Sequence, residues 1–197
     1  MSTAPLIAPQ SLPIDNVLPE LVKALQSQNK ALLVAQPGAG KTTRVPLALL
    51  DAFPAKAGRW LLLEPRRVAA RLAAGFMAQS LGESLGETVG YRVRGESKIS
   101  SRTRLEVVTQ GILMRMLQDD PSLDGFAGII FDEFHERSLD GDLGLAFALE
   151  AQSALREDLR ILIMSATLDT VSLLTMLGDQ TPLINCAGRA WPVETYY

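Results

Sequence analysis

Two short clusters carry the residue types that phosphate chemistry needs. The first runs Ala35-Gln36-Pro37-Gly38-Ala39-Gly40-Lys41-Thr42-Thr43. Small residues let successive backbone N–H groups turn inward around a triphosphate, and a helix beginning near Lys41 adds its positive end. Gly38, Ala39, Gly40, Lys41, Thr42 and Thr43 are then the phosphate-holding residues. Lys41 reaches the β- and γ-phosphates, and Thr42 offers a hydroxyl to magnesium. The pattern departs from G-x-x-x-x-G-K-[ST] only in its first position, where Ala35 stands for Gly. The second cluster is Asp132-Glu133, closing the apolar run Gly128-Ile129-Ile130-Phe131. Taken alone, such a pair often marks a helix cap. Downstream of a phosphate loop it suits magnesium coordination by Asp132, with Glu133 orienting or deprotonating the attacking water. The candidate catalytic residues are therefore Glu133, Asp132 and Lys41, with a nucleoside triphosphate and Mg2+ as the implied ligands.

His135 is the only histidine. It has no partners for a metal site, and Glu133 is better suited to general-base duty. Two residues past Glu133, it is placed to link the nucleotide site to another motif by a hydrogen bond. Cys186 is the only cysteine, so no internal disulfide forms, and it reads as a small buried apolar residue.

These clusters need a scaffold, and the sequence describes one. Short apolar runs at residues 31–35, 60–64, 89–93, 105–109, 128–132, 161–165 and 183–185 read as strands. Helical patterns fall at 17–28, 41–51, 67–81, 111–118, 142–152 and 170–176. Strands of four to six apolar residues separated by helices predict a mainly parallel α/β sheet covered on both faces. Ligands of such sheets bind beyond the carboxyl ends of the strands, and the polar clusters fall there.

The chain has 197 residues, 47% of them hydrophobic, enough for one core and too many for a disordered chain. A net charge of −3 excludes whole-chain attraction to nucleic acid and leaves only local basic patches. No run approaches the length of a membrane span, and the N-terminus lacks a signal-peptide pattern, so a cytoplasmic protein with no membrane partner is expected. Residues 1–14, rich in Pro, Ser and Ala, read as a lead-in segment.

The run Asp132-Glu133-Phe134-His135-Glu136-Arg137-Ser138 resembles the D-E-A-H-E-R sequence of DEAH-box helicases, with Phe134 in place of Ala. Glu64-Pro65-Arg66-Arg67-Val68-Ala69-Ala70 resembles their motif Ia, Val108-Thr109-Gln110-Gly111 motif Ib, and Ser165-Ala166-Thr167 motif III. The likeness covers nearly the whole chain, and the D-E-F-H variant looks most similar to the bacterial HrpB branch. It implies a P-loop NTPase with a RecA-like, three-layer α/β/α fold over residues 15–190. It further implies the ATP-hydrolysing motor domain of an RNA helicase, coupled to single-strand translocation and unwinding in the full-length protein. Single-stranded RNA, or DNA, is the implied partner. Arg66, Arg67, Thr109 and Gln110 are the implied nucleic-acid contacts, and His135, Ser165 and Thr167 the residues that couple nucleotide state to them. Two departures matter. Leu63-Glu64 stands where the family usually has Thr-Gln, and Phe76 stands near an arginine that stacks on adenine in many members. Phe76 can stack without the cationic component, or it can be core on an amphipathic helix.

Residues 91–104 hold five basic side chains and one acidic. Strand alternation puts Arg92 and Arg94 on one face, where they can lie along a phosphate backbone or simply be solvated. The resemblance makes residues 191–197 the start of a linker to a second RecA-like domain. That domain would supply arginines worth ~10³–10⁵ in rate by analogy with GTPases, so this chain alone is expected to hydrolyse ATP weakly or not at all. The alternative reading is another P-loop NTPase class, either a DNA-directed helicase or a nucleotide-switch protein.

Overall fold

The computed structural model describes residues 11–166, 170–178 and 180–187. Eight strands form one sheet: β1 Lys30–Ala35, β2 Arg59–Glu64, β3 Val89–Val93, β4 Glu96–Lys98, β5 Leu105–Thr109, β6 Phe126–Phe131, β7 Arg160–Ser165 and β8 Leu183–Cys186. Their order is β4-β3-β5-β2-β6-β7-β1-β8, parallel throughout except for the β3–β4 hairpin. Among the described residues, six α-helices flank it: α1 Leu18–Ser27, α2 Lys41–Ala52, α3 Arg67–Ser80, α4 Gln110–Asp119, α5 Leu139–Ala154 and α6 Val171–Leu177. This is the three-layer α/β/α arrangement expected from the alternating strand and helix patterns.

Strands β1, β2, β6 and β7 are buried along nearly their whole length because helices cover both faces. Alternate residues divide between two cores. Trp60, Leu62, Leu162 and Met164 pack with Leu21 and Leu25 of α1, Val45 and Leu49 of α2, and Ala74 and Met77 of α3. Leu61, Leu63, Ile129, Phe131, Ile161 and Ile163 pack with Leu113 of α4, Leu145 and Ala148 of α5, and Leu173 and Leu177 of α6. Each fully buried aliphatic side chain contributes about 1.5–3 kcal/mol, so burial on both faces fixes the register of every central strand. Gly128 makes room for Trp60: a Cβ there would stand 2.6 Å from the indole.

Beyond shifts of a residue or two at element ends, several features are set by tertiary contacts. The basic stretch after β3 folds back as the polar strand β4, turning at Arg94-Gly95, where Gly95 has φ +82°. Helix α5 begins at Leu139, three residues earlier than its apolar pattern, because Ser138 Oγ accepts from the Gly141 N–H at 3.0 Å. Strand β6 ends at Phe131, so Asp132 lies just past the strand. Phe76 is 58% exposed on α3, together with Val68 and Leu72, so it is not a core residue. Cys186 is buried as expected, and Trp60 is buried as well. No helix among the described residues is long and apolar enough to cross a membrane.

Candidate nucleotide and nucleic-acid site

The parallel strands bring their carboxyl ends to one edge of the sheet, and the strand order sorts the candidate residues along it. The loop after β1 carries the phosphate-loop residues, β7 ends at Ser165, and β6 is followed by Asp132-Glu133. Next come Arg66-Arg67 after β2, Thr109-Gln110 at the end of β5, and Arg94 after β3. Nucleotide-type residues thus occupy one half of the edge and nucleic-acid-type residues the other, and they meet at β2 and β6.

Gly38 and Gly40 adopt φ +80° and +94°, a region that side chains disfavour, and this bends the loop into a cradle ahead of α2. Leu12 packs over the loop so closely that a Cβ at Gly40 would stand 2.5 Å from its Cδ1. The described part of the lead-in, with buried Ile14, therefore supports the phosphate loop. Lys41, 3% exposed, places its Nζ 2.8 Å from Glu133 Oε1. Thr42 Oγ1 donates to Asp132 Oδ2 at 2.5 Å. The Glu133 N–H donates to the other Asp132 oxygen at 2.8 Å. A hydroxyl and a carboxylate already in contact at a helix start form the hard-oxygen set that magnesium prefers, so these residues fit that ion.

Burial raises the Asp132 carboxyl to about 6, against the lowering effect of the Thr42 hydrogen bond, and neighbouring Glu133 adds to the rise. Beside them stands Glu64, 4% exposed. Its carboxyl is pushed up to about 8, first by burial, then by the charges of Asp132 and Glu133. Three acids therefore share the single ammonium of Lys41. Together with Thr42, Arg66, Leu72 and Glu136, two of these acids, Glu64 and Glu133, line an open cavity of about 370 Å3.

His135 occupies the linking position expected of it. The Ala166 N–H donates to its Nδ1 at 3.2 Å, and the same nitrogen lies 3.4 Å from Glu133 Oε2. The carboxylate turn is thereby tied to Ala166, the residue that follows β7. Ser165 is buried at the end of that strand, and Thr167 lies outside the described residues.

On the other half of the edge, Arg66 is exposed and its Nη2 donates to both oxygens of Glu136 at 3.0 Å. Arg67 is exposed at the first position of α3. Thr109 is half-buried, and Gln110 Oε1 accepts from Ser138 Oγ at 2.8 Å. Arg92 does not share an open face with Arg94. Its Nη2 lies 2.7 Å from Glu106, which Arg59 holds from the other side at 2.5 Å. Glu106 is fully buried, and a buried carboxylate needs paired cations. Arg94 remains exposed at the hairpin turn.

Glu64, Glu106 and Glu136 are not announced by the motifs. Glu64 carries the same signal as Asp132, a carboxylate ending an apolar strand, within a segment that resembles a nucleic-acid motif. The partners of Glu106 and Glu136 are remote in sequence, and no local pattern announces them.

A family model described as DEAD/DEAH box helicase matches residues 16–174. The chain is 52% identical over 187 residues to the ATP-dependent RNA helicase HrpB of Escherichia coli, covering 95% of this chain and 23% of that protein. It is 35% identical to the ATP-dependent RNA helicase HrpA homolog of Haemophilus influenzae, covering 98% of this chain and 15% of that one. A crystal structure of the Escherichia coli DEAH/RHA helicase HrpB superposes with a TM-score of 0.88 at 53% identity, over 93% of this chain and 23% of that chain. The chain thus spans about a quarter or less of the length of these relatives.

Proposed function

The chain belongs to the DEAD/DEAH box helicase family, and we propose on that premise that it is the nucleotide-holding domain of an ATP-dependent RNA helicase motor. The observation that carries this is one bonded cluster. Lys41 and Thr42 from the phosphate loop meet Asp132 and Glu133 directly, on a sheet edge that also presents Arg66 and Gln110. The backbone of Gly38, Ala39 and Gly40 cradles the phosphates, with Thr43 in the first turn of α2 beside them. Lys41 exchanges Glu133 for the β- and γ-phosphates when nucleotide enters. Thr42 and Asp132 would hold magnesium, which when bound offsets charge on the phosphate oxygens. Glu133, released from Lys41, accepts a proton from the attacking water. His135 transmits the position of this carboxylate to Ala166 and so to Ser165 and Thr167.

Single-stranded RNA lies across Arg66, Arg67, Thr109 and Gln110, with Arg94 at the far end of that face. Its phosphates are held by exposed cations, and no base-reading aromatic set is needed. Residues 15–190 form this domain, and 191–197, outside the described residues, lead toward a second RecA-like domain that completes the ATP site. The setting is cytoplasmic.

Lys41→Ala tests the nucleotide assignment. Losing a charge-assisted phosphate contact lowers affinity for a non-hydrolysable ATP analogue by about 10–100-fold, with the fold intact by circular dichroism; unchanged affinity sinks the assignment. ATPase rates of the full-length protein with RNA, with single-stranded DNA and with neither then separate an RNA motor from the other classes. A rate that RNA does not change favours a nucleotide switch.

A further inference from the structure

The segment between Glu133 and α5 is built as a short clasp. Glu133 and Arg137 both adopt left-handed backbone, φ +48° and +40°, on either side of a single 3₁₀ turn at Phe134–Glu136. Non-glycine residues pay for that conformation and keep it only where surrounding contacts hold it. Four sets of contacts hold it here. The Phe134 ring is buried against Phe131. Arg137 binds both oxygens of Asp142. Glu136 takes both its bonds from Arg66, and Ser138 donates to Gln110. The two residue groups proposed to meet RNA therefore each grip the segment that begins with the hydrolytic carboxylate.

We infer that Glu136 is a positioning residue which, through Arg66, lets an RNA phosphate act on Glu133. Resting on the RNA-motor reading above, this names the side chain that carries the signal. The Arg66–Glu136 pair is exposed on both sides, and such pairs are weak in water. A strand phosphate at Arg66 competes for the same guanidinium at little cost. When it wins, Glu136 loses its bonds and the strained turn loses one of its restraints. Glu133, three residues back and already exchanged from Lys41 by nucleotide, is then free to turn toward the water. The nucleotide side gives the same turn a second exit, because His135 within it bonds Ala166. Arg66 therefore does more than hold RNA. Its partner Glu136 makes RNA occupancy felt at the carboxylate.

The test is a double-mutant cycle in the full-length protein with Arg66→Gln, Glu136→Gln and both, reading apparent RNA affinity and the ratio of RNA-stimulated to RNA-free ATPase. Glu136→Gln frees Arg66, so RNA affinity rises about two- to fivefold. The stimulation ratio falls by about two- to tenfold, the size of effects expected of coupling residues. In the Arg66→Gln background the second substitution changes neither readout. Equal effects of Glu136→Gln in both backgrounds, or none in either, overturn the inference. Should Glu136→Gln disturb folding, Glu136→Asp, which keeps the charge and shortens the reach, must still lower the ratio. A wild-type protein whose ATPase does not respond to RNA fails at the earlier step and takes the RNA-motor reading with it.

Discussion

Replacing Glu64 with Gln removes a carboxyl that the folded chain holds protonated where the unfolded chain does not. Burial, Asp132 and Glu133 lift this group from 4.5 to about 8, with Lys41 pulling the other way. The folded state therefore keeps a proton that the unfolded state releases. Stability is full below pH 4.5, falls as pH rises, and has lost the whole contribution above about 8. Each pH unit of that window is worth ~1.4 kcal/mol, so the interval up to pH 7 bounds the loss at roughly 3 kcal/mol. Asp132, Glu133 and Lys41 share the charge of the cluster, which reduces the expected value to ~1–2 kcal/mol. Gln has the shape of the protonated acid and does not titrate. Urea unfolding of both proteins, free of nucleotide and magnesium, gives the comparison at pH 5 and pH 8. The two should agree closely at pH 5. At pH 8 the variant should be the more stable by ~1–2 kcal/mol, or roughly 2–8 °C in Tm. A wild-type protein that gains stability from pH 5 to pH 8, or a variant that loses it in parallel, refutes the reasoning.

Two further outcomes follow from contacts at other points of the sheet. Glu106→Ala leaves Arg59 and Arg92 facing each other over a buried gap and should cost about 2–4 kcal/mol in chemical unfolding; a loss below 0.5 kcal/mol, an order-of-magnitude threshold for ordinary surface changes, contradicts the pairing. His135→Ala removes the acceptor of the Ala166 N–H. It should cost about 0.5–1.5 kcal/mol of stability and lower the RNA-stimulated ATPase rate while nucleotide affinity holds. Loss of nucleotide affinity instead would place His135 in binding.

Much of this was legible because the chemistry sits at strand ends. Apolar runs place β3 and β5 to the residue, and small residues before Lys41 and the acids after Phe131 mark the two turns that meet in the candidate site. What escaped was of three kinds. Strand β4 is three polar residues long and exists through pairing with β3, which no periodicity can show. Glu106 interrupts an apolar strand, but its partners Arg59 and Arg92 come from two other strands, and only the sheet order joins them. Arg92 looked free for the same reason. Phe76 had two readings that spacing alone left open, and the orientation of α3 removed the core one. Glu64 is legible as a carboxylate ending an apolar strand, but only the pairing of β2 with β6 puts its carboxyl beside Asp132 and Glu133.

The order of the central strands also sets which strand end lies between the two residue clusters. β7 lies between β1 and β6, paired along five residues with the first and four with the second. Its carboxyl end, at Ser165, therefore lies between the loop that leads into α2 and the pair Asp132-Glu133. With the same residues but β7 at the sheet's margin, β1 and β6 would be neighbours and no strand end would separate those two clusters.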